Sequence, residues 1–148
     1  MSVPTEYDFA VIKIGDGADP EVFAISCGKQ DFTANFVAIS NDRFVRDCAK
    51  PGEVPFRKSK ANGKQLDITA TGLTDVDTMN REAELVGTHQ NVKLEYYADN
   101  GTDAGLLLAT VSCNMLVGAL NIGSPRENAA SAEITLASNG AWTFAKAP

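Results

Sequence analysis

The chain is predicted to be mainly β: a β-sandwich or barrel-like β domain with one flanking helix. Three observations predict it. Several segments alternate apolar and polar residues with the period of two that a half-buried strand requires. Only one segment, about residues 75–86, has helical spacing. Turn-forming residues separate the segments, at Gly15-Asp16-Gly17, Asp99-Asn100-Gly101 and Asn139-Gly140. A chain of 148 residues is long enough for a real core, and residues 1–148 are read as one domain.

Tyr7 to Ile14 is rich in aromatic and β-branched residues and stops at the first glycine turn. Glu21 to Cys27 follows the breaker Asp19-Pro20. Asp31 to Ser40 places Phe32 and Phe36 on one face, Val37 and Ile39 on the other. Gln65 to Thr71 alternates cleanly, with Leu66, Ile68 and Ala70 inward and Asp67, Thr69 and Thr71 outward. In the helix, Thr74-x-x-Asp77 resembles a capping box, and Val76, Met79, Ala83 and Val86 form one apolar stripe, so the helix is expected to cover one face or end of the sheet. Gly87 stands where a C-terminal cap belongs. Asn91 to Tyr97 alternates again. Leu106 to Gly118 is apolar enough for a central strand buried on both faces, and 121–129 reads as a polar loop. Ser131 to Ala137 and Ala141 to Ala145 read as a hairpin around Asn139-Gly140.

The stretch 42–64, DRFVRDCAKPGEVPFRKSKANGK, fits neither period and reads as a long loop. It holds seven of the thirteen basic residues: Arg43, Arg46, Lys50, Arg57, Lys58, Lys60 and Lys64. With three acids it carries +4, which leaves −10 for the rest of a chain whose net charge is −6. A structureless connection of this length is uncommon in a compact domain and is usually functional or disordered. Phe44, Val45, Val54 and Phe56 give it apolar anchors that a pure linker does not need. A basic arm with apolar anchors on an acidic body suits docking onto another copy of the chain.

Function classes narrow quickly. The net negative charge disfavours tight general binding to nucleic acid, which needs clustered Lys and Arg on phosphates. No apolar run reaches the ~18 residues of a membrane span; Leu106 to Val117 is interrupted by Thr110, Ser112 and Asn114. The first residues, MSVPTEYDFAV, do not read as a secretory signal. Cys27, Cys48 and Cys113 are odd in number and in no CxxC pair, which argues for reduced thiols and against a zinc site. His89 is the lone histidine and has no ligand-spaced Cys or carboxylate around it. Ser26 and Ser112 lack a nucleophile context. Gly15-Asp16-Gly17 lacks the rest of a dinucleotide fingerprint and reads as a turn. Asp16, Asp19 and Glu21 lack the EF-hand pattern. Glu82 and Glu84 lie two apart on the helix and read as a solvated face. Tyr96, Tyr97, Trp142 and Phe144 do not alternate with basic residues as a single-strand binding platform does. The chain is therefore read as no enzyme, with no cofactor and no metal.

The segment SAEITLASNGAWTF, Ser131 to Phe144, resembles the closing segment of tail tube proteins of bacteriophages with long non-contractile tails. That family commonly ends on an alternating strand, then a Ser, a small residue and Gly, then a short aromatic strand. Ser138, Gly140, Trp142, Thr143 and Phe144 match this pattern. The order of elements agrees along nearly the whole chain, while the motif covers about fifteen residues. The resemblance implies a β-sandwich with a flanking helix, six subunits whose sheets join into a ring, and rings stacked into a hollow tube that conducts double-stranded DNA into the host. It implies a long loop reaching a neighbouring subunit or ring, here 42–64, and an acidic bore for which Asp67 and Glu133 are the candidates. The implied place is the virion tail, assembled in the host cytoplasm. The implied partners are further copies of the chain, tail initiator or tape measure proteins and a tail terminator. A contractile-tail or type VI secretion inner tube shares the fold. A small virion decoration or carbohydrate-binding module is the alternative from another class.

Overall fold

The alternating segments become strands that join in a single antiparallel sheet. A computed structural model describes residues 6–147; the reading of the first five residues lies outside them. The strands are β1 (Phe9–Gly15), β2 (Phe23–Ile25), β3 (Lys29–Val45), β4 (Phe56–Leu73), β5 (His89–Ala98), β6 (Leu106–Gly123) and β7 (Ser131–Lys146), with α1 (Val76–Leu85) between β4 and β5. Their order in the sheet is β2-β1-β5-β6-β7-β4-β3.

That order forces the sheet to roll. The edge strands β2 and β3 are joined only by Ser26, Cys27 and Gly28, so Ile25 and Lys29 lie within ~14 Å of each other. Seven strands laid flat span ~29 Å. The sheet must therefore curl until its two edges nearly meet, and β1 does come against β3. The two-layered, barrel-like character expected from the sequence arises by rolling one open sheet. The concave face is the core: Ile12 and Ile14 of β1, Leu66 and Ile68 of β4, Leu94 of β5, Met115 and Val117 of β6, and Ile134 and Leu136 of β7 are all buried. In each strand they sit two residues apart, as the alternation requires. β6 is the central strand, but only one of its faces is core; Ser112, Asn114 and Leu116 on the other face are half-buried. A single sheet has no second apolar layer to cover them.

Where the edges meet, backbones touch. A Cβ on Gly28 would stand 2.3 Å from the Leu73 carbonyl oxygen, and Gly28 also has φ of 84°. A Cβ on Gly72 would stand 2.4 Å from the Gly28 oxygen. Only glycine lets the β2–β3 link cross the base of β4 this closely. The Leu73 N–H donates to the Gly28 carbonyl at 3.0 Å across that crossing.

The helix forms where its spacing predicts, but with a different cap and a different buried face. Asp75, not Thr74, is the N-cap: its carboxylate accepts from the Thr78 N–H at 2.7 Å. The expected apolar stripe does not face the core. Val76 is 75% exposed, and Ala83 and Val86 are exposed too. The buried positions are Thr78 and Glu82. Glu82, read from sequence as solvated, lies fully buried beside the equally buried Lys29, with Lys29 Nζ 3.5 Å from Glu82 Oε2. The Ser26 hydroxyl donates to Glu82 Oε1, and Arg81 Nη2 donates to the Ile25 carbonyl at 2.8 Å. The helix is thus latched by charge and hydrogen bonds onto the link where the sheet edges meet.

Two further expectations are corrected. Residues 42–64 are not a structureless loop. They are the outer half of one long hairpin, β3 paired to β4 from Lys29↔Gly72 out to Val45↔Phe56, and only residues 46–55 turn. Nor do residues 131–145 make a hairpin: both arms belong to β7 and both pair with β6. Asn139-Gly140-Ala141 is a bulge opposite Asn114, between the pairs Met115↔Ser138 and Cys113↔Trp142.

Candidate assembly surfaces

The hairpin is built in two halves. From Asp67 to Leu73, β4 is flanked by β3 on one side and β7 on the other. Beyond Asp67 the β7 partner is lost, and β3 and β4 run on as a two-stranded ribbon in which residues 38–64 are exposed except for the half-buried Pro55. Past the bulge, β7 pairs only with β6, so the chain forks. At the fork the Leu66 N–H donates to the Ser138 hydroxyl at 3.0 Å, closing the ladder. Trp142 stands edge-on to Phe36, ring centres 5.3 Å apart, and seals that end of the core. Thr143 pairs with Ser112 and Phe144 with Val111. Phe144 is exposed because β4 has left its flank. Gly140 takes φ of 104°, which the bulge requires.

The ribbon sorts its charges by register. The pairing slips by one between Ile39 and Ser40, leaving Asn62 without a partner. This bulge switches the parity of β4, so that Arg43↔Lys58, Asn41↔Lys60 and Val45↔Phe56 share one face. Phe44↔Arg57 and Asp42↔Ser59 share the other, together with Lys64↔Ala38 nearer the core. A shallow groove lies along the outer ribbon, lined by Asn41, Arg43, Lys58 and Lys60. Lys50 and Val54 are exposed on the tip. Arg46 plays a different part: its Nη1 donates to the carbonyls of Pro51 at 2.6 Å and Glu53 at 3.0 Å, so it staples the tip rather than reaching outward. Ala49 N–H to Asp47 Oδ1 at 2.9 Å completes the turn.

Asp67 and Glu133 do share a face, the convex side of the sheet, and Asp31 joins them. Cross-strand rows run Asp31–Thr71–Glu133, Thr33–Thr69–Thr135 and Asn35–Asp67–Ala137. This half of the convex face carries three carboxylates among threonines and no basic residue. Asp67 accepts from Gln65 Nε2 at 3.0 Å. The other half, on β1 and β5, carries Lys13, Lys93 and one carboxylate, Glu95, and Lys93 Nζ lies over the Phe23 ring, 4.2 Å from its centre. Lys13 Nζ lies 2.9 Å from Glu95 Oε1, and the Tyr97 hydroxyl donates to Glu95 Oε2. Burial pushes the Glu95 carboxyl up, but the Tyr97 hydroxyl and the Lys13 ammonium outweigh it and hold the group below its ordinary value. The same hydrogen bond to Glu95 raises Lys13. A polar ladder continues across the sheet: Asn91 donates to Glu21, Asn114 to Asn91 and Asn139 to Asn114, at 2.9, 3.0 and 3.1 Å. Asp16 also serves its own turn. Its carboxyl is lowered by the N–H groups of Ala18 and Val22, which it accepts at 3.0 and 3.2 Å.

No family model matches the chain, and no curated protein does. Solved structures do. A chain in the tail of an empty gene transfer agent particle with C6 symmetry matches at TM-score 0.65 and 19% identity, over 91% of this chain and 94% of that one. A chain in the sheath–tube complex of an extracellular contractile injection system, in its extended state, matches at TM-score 0.65 and 13% identity, over 97% and 93%. The SPP1 tail tube matches at TM-score 0.59 and 12% identity, over 94% and 77%. The chain has the tail tube fold. In this tail tube fold, three features were not read from the sequence. Asp31 belongs with Asp67 and Glu133, and its place at the start of an alternating strand could have shown it. The outward face of α1, with Val76, Asp77 and Glu84, was read as the stripe covering the sheet or as plain surface. The free edges at the fork had no signal, because a strand's sequence does not say where its partner stops.

Proposed function

We propose that this chain is a structural subunit of a phage-type tail tube. Copies close into rings, six to a ring, and the rings stack into a hollow tube. The observation that carries the reading is the tail tube fold combined with a long exposed ribbon that ends in apolar and basic side chains. A two-stranded ribbon is marginal alone in water, and Phe44 and Phe56, at 72% and 71% exposure, are costly to leave there. A neighbouring subunit that covers the ribbon removes both problems. Unpaired strand edges invite further pairing, and ring closure consumes them. A head-to-tail contact that does not close on itself yields a filament.

The bore, in this reading, is lined by the convex face around Asp31, Asp67 and Glu133. Carboxylates without neighbouring cations repel phosphate and offer DNA nothing to grip. The subunit is a virion component assembled in the host cytoplasm, with no catalytic role. Its partners are itself, an initiator or tape measure protein, a terminator and, transiently, double-stranded DNA. Among the described residues, no helix is long and apolar enough to cross a membrane. An inner tube of a contractile system is the second reading, favoured by the match to the injection-system chain.

Negative-stain electron microscopy of the purified protein over a concentration series tests the proposal. Hollow tubes with a regular repeat are expected. Compact monomers that persist even when a tail initiator is added would overturn it in favour of a binding module. In the tubes, trypsin cleavage after Arg57, Lys58 and Lys60 should slow strongly relative to the free subunit. Asp67→Asn with Glu133→Gln should leave tubes intact and slow DNA ejection.

A further inference from the structure

The hairpin has two ends, and they are chemically complementary. The tip of the ribbon lies at one end. At the other, β4 runs out at Leu73 straight into α1. The strands separate these ends by about 55 Å, so no subunit can bring its own tip to its own helix. Along α1, successive residues turn by about 100°. That puts Val76, Ala83 and Val86 on one exposed lane and Asp77 and Glu84 on the adjacent one. Arg81 Nη2 is held by the Ile25 carbonyl, and its single positive charge offsets only part of Asp75, Asp77 and Glu84. Leu73, just before the helix, and Ile25, whose carbonyl Arg81 holds, are also exposed. The outer ribbon offers the reverse: residues 46–55 balance Arg46 and Lys50 against Asp47 and Glu53, but Val54, 81% exposed, and Phe56 stand beside the cations Arg43, Lys58 and Lys60 of the adjoining strands.

We infer that the ribbon tip of one copy docks on the outward face of α1 of the next copy, apolar lane against apolar anchors and carboxylates against lysines. This rests on the tube reading and names the surface that receives the ribbon. Like ends repel: tip on tip opposes cations, and helix on helix opposes acids. Only the head-to-tail pairing matches sign, so charge selects direction while the apolar groups supply adhesion. The apolar stripe that the helix turns away from its own core thereby acquires a function.

Native cysteines report on the contact. Cys48 is exposed in the tip and Cys27 is exposed on the β2–β3 link beside α1, while Cys113 is buried. Assembled tubes treated with a short bis-maleimide should give a ladder of dimers, trimers and longer chains, with Cys48 joined to Cys27 or, in a Cys27→Ser background, to a thiol placed by Ala83→Cys. Cys48→Ser should abolish the ladder. Separately, Lys58→Glu with Lys60→Glu should raise the concentration needed for assembly by about tenfold, and adding Asp77→Lys with Glu84→Lys should restore most of it. Tubes that form but join Cys48 only to Cys48, or to neither α1 position, would overturn this inference and leave the tube reading standing. Charge reversals that the α1 variants fail to rescue would also overturn it. Absence of tubes under every condition would overturn both.

Discussion

The two halves of the β3–β4 hairpin are made by the same two strands, yet they are held by different forces. In the inner half, Leu66, Ile68 and Ala70 are buried, and β4 has a strand on each side. In the outer half, the same strands carry Arg43, Lys58, Lys60 and Phe56 into solvent with only each other for support. The inner half is part of the subunit's stability. The outer half adds little to it and, in the proposed reading, serves a neighbouring copy. One secondary structure element can thus belong to two energetic systems, and the border between them is where β7 leaves β4.

The largest test of this division concerns the latch at the inner end. Glu82→Ala leaves the Lys29 ammonium buried without a counter-charge and should cost the free subunit about 3–5 kcal/mol in urea unfolding. Lys29→Met with Glu82→Leu should recover most of that, because an apolar pair of similar volume needs no desolvated charge. Next, Ile68→Ala should cost about 2–5 kcal/mol by emptying core volume.

The convex face should respond through pH. The folded-state pKa of Glu95 is depressed, so its stabilisation is present above the unfolded carboxylate value and is lost as pH falls through the folded value. Wild type should therefore exceed Glu95→Gln in melting temperature near neutral pH, and the gap should shrink in acid. A gap that stays constant would remove the Lys13–Glu95–Tyr97 cluster from the acid response. The smallest effect belongs to the ribbon. Phe56→Ala should change subunit stability by no more than about 0.5 kcal/mol, yet impair tube formation. If it destabilised the free subunit as much as Ile68→Ala does, the ribbon would be part of the core system and the division would fail.

Sequence legibility followed burial. Where a strand packs one face on the core, its alternation is written in the residues. Gln65 to Thr71 could therefore be assigned inward and outward faces correctly. The ribbon has no buried face, so nothing in Arg57 to Lys64 alternates, and a paired strand looked like a loop. Asn139-Gly140 carried a true turn signal, but β6 is long enough to pair on both sides of it, so the turn became a bulge. The candidate surfaces were half legible. The basic residues were visible as a cluster, whereas their division between two faces depends on the single unpaired Asn62, and Arg46 was lost to the tip's own carbonyls.

By itself, the sequence determined the strands that carry a core face, the existence of the helix and the segment that holds the positive charge. These depend on local spacing and composition. The tertiary structure alone decided that one sheet rolls up to serve as two layers, because that follows from the three-residue link between its two edges. It also decided which side of α1 is buried. Helical periodicity can show that a stripe is apolar, but not whether a neighbour supplies a better partner for the other side. Here Lys29 and Ser26 do so for Glu82, and the apolar stripe is left facing out.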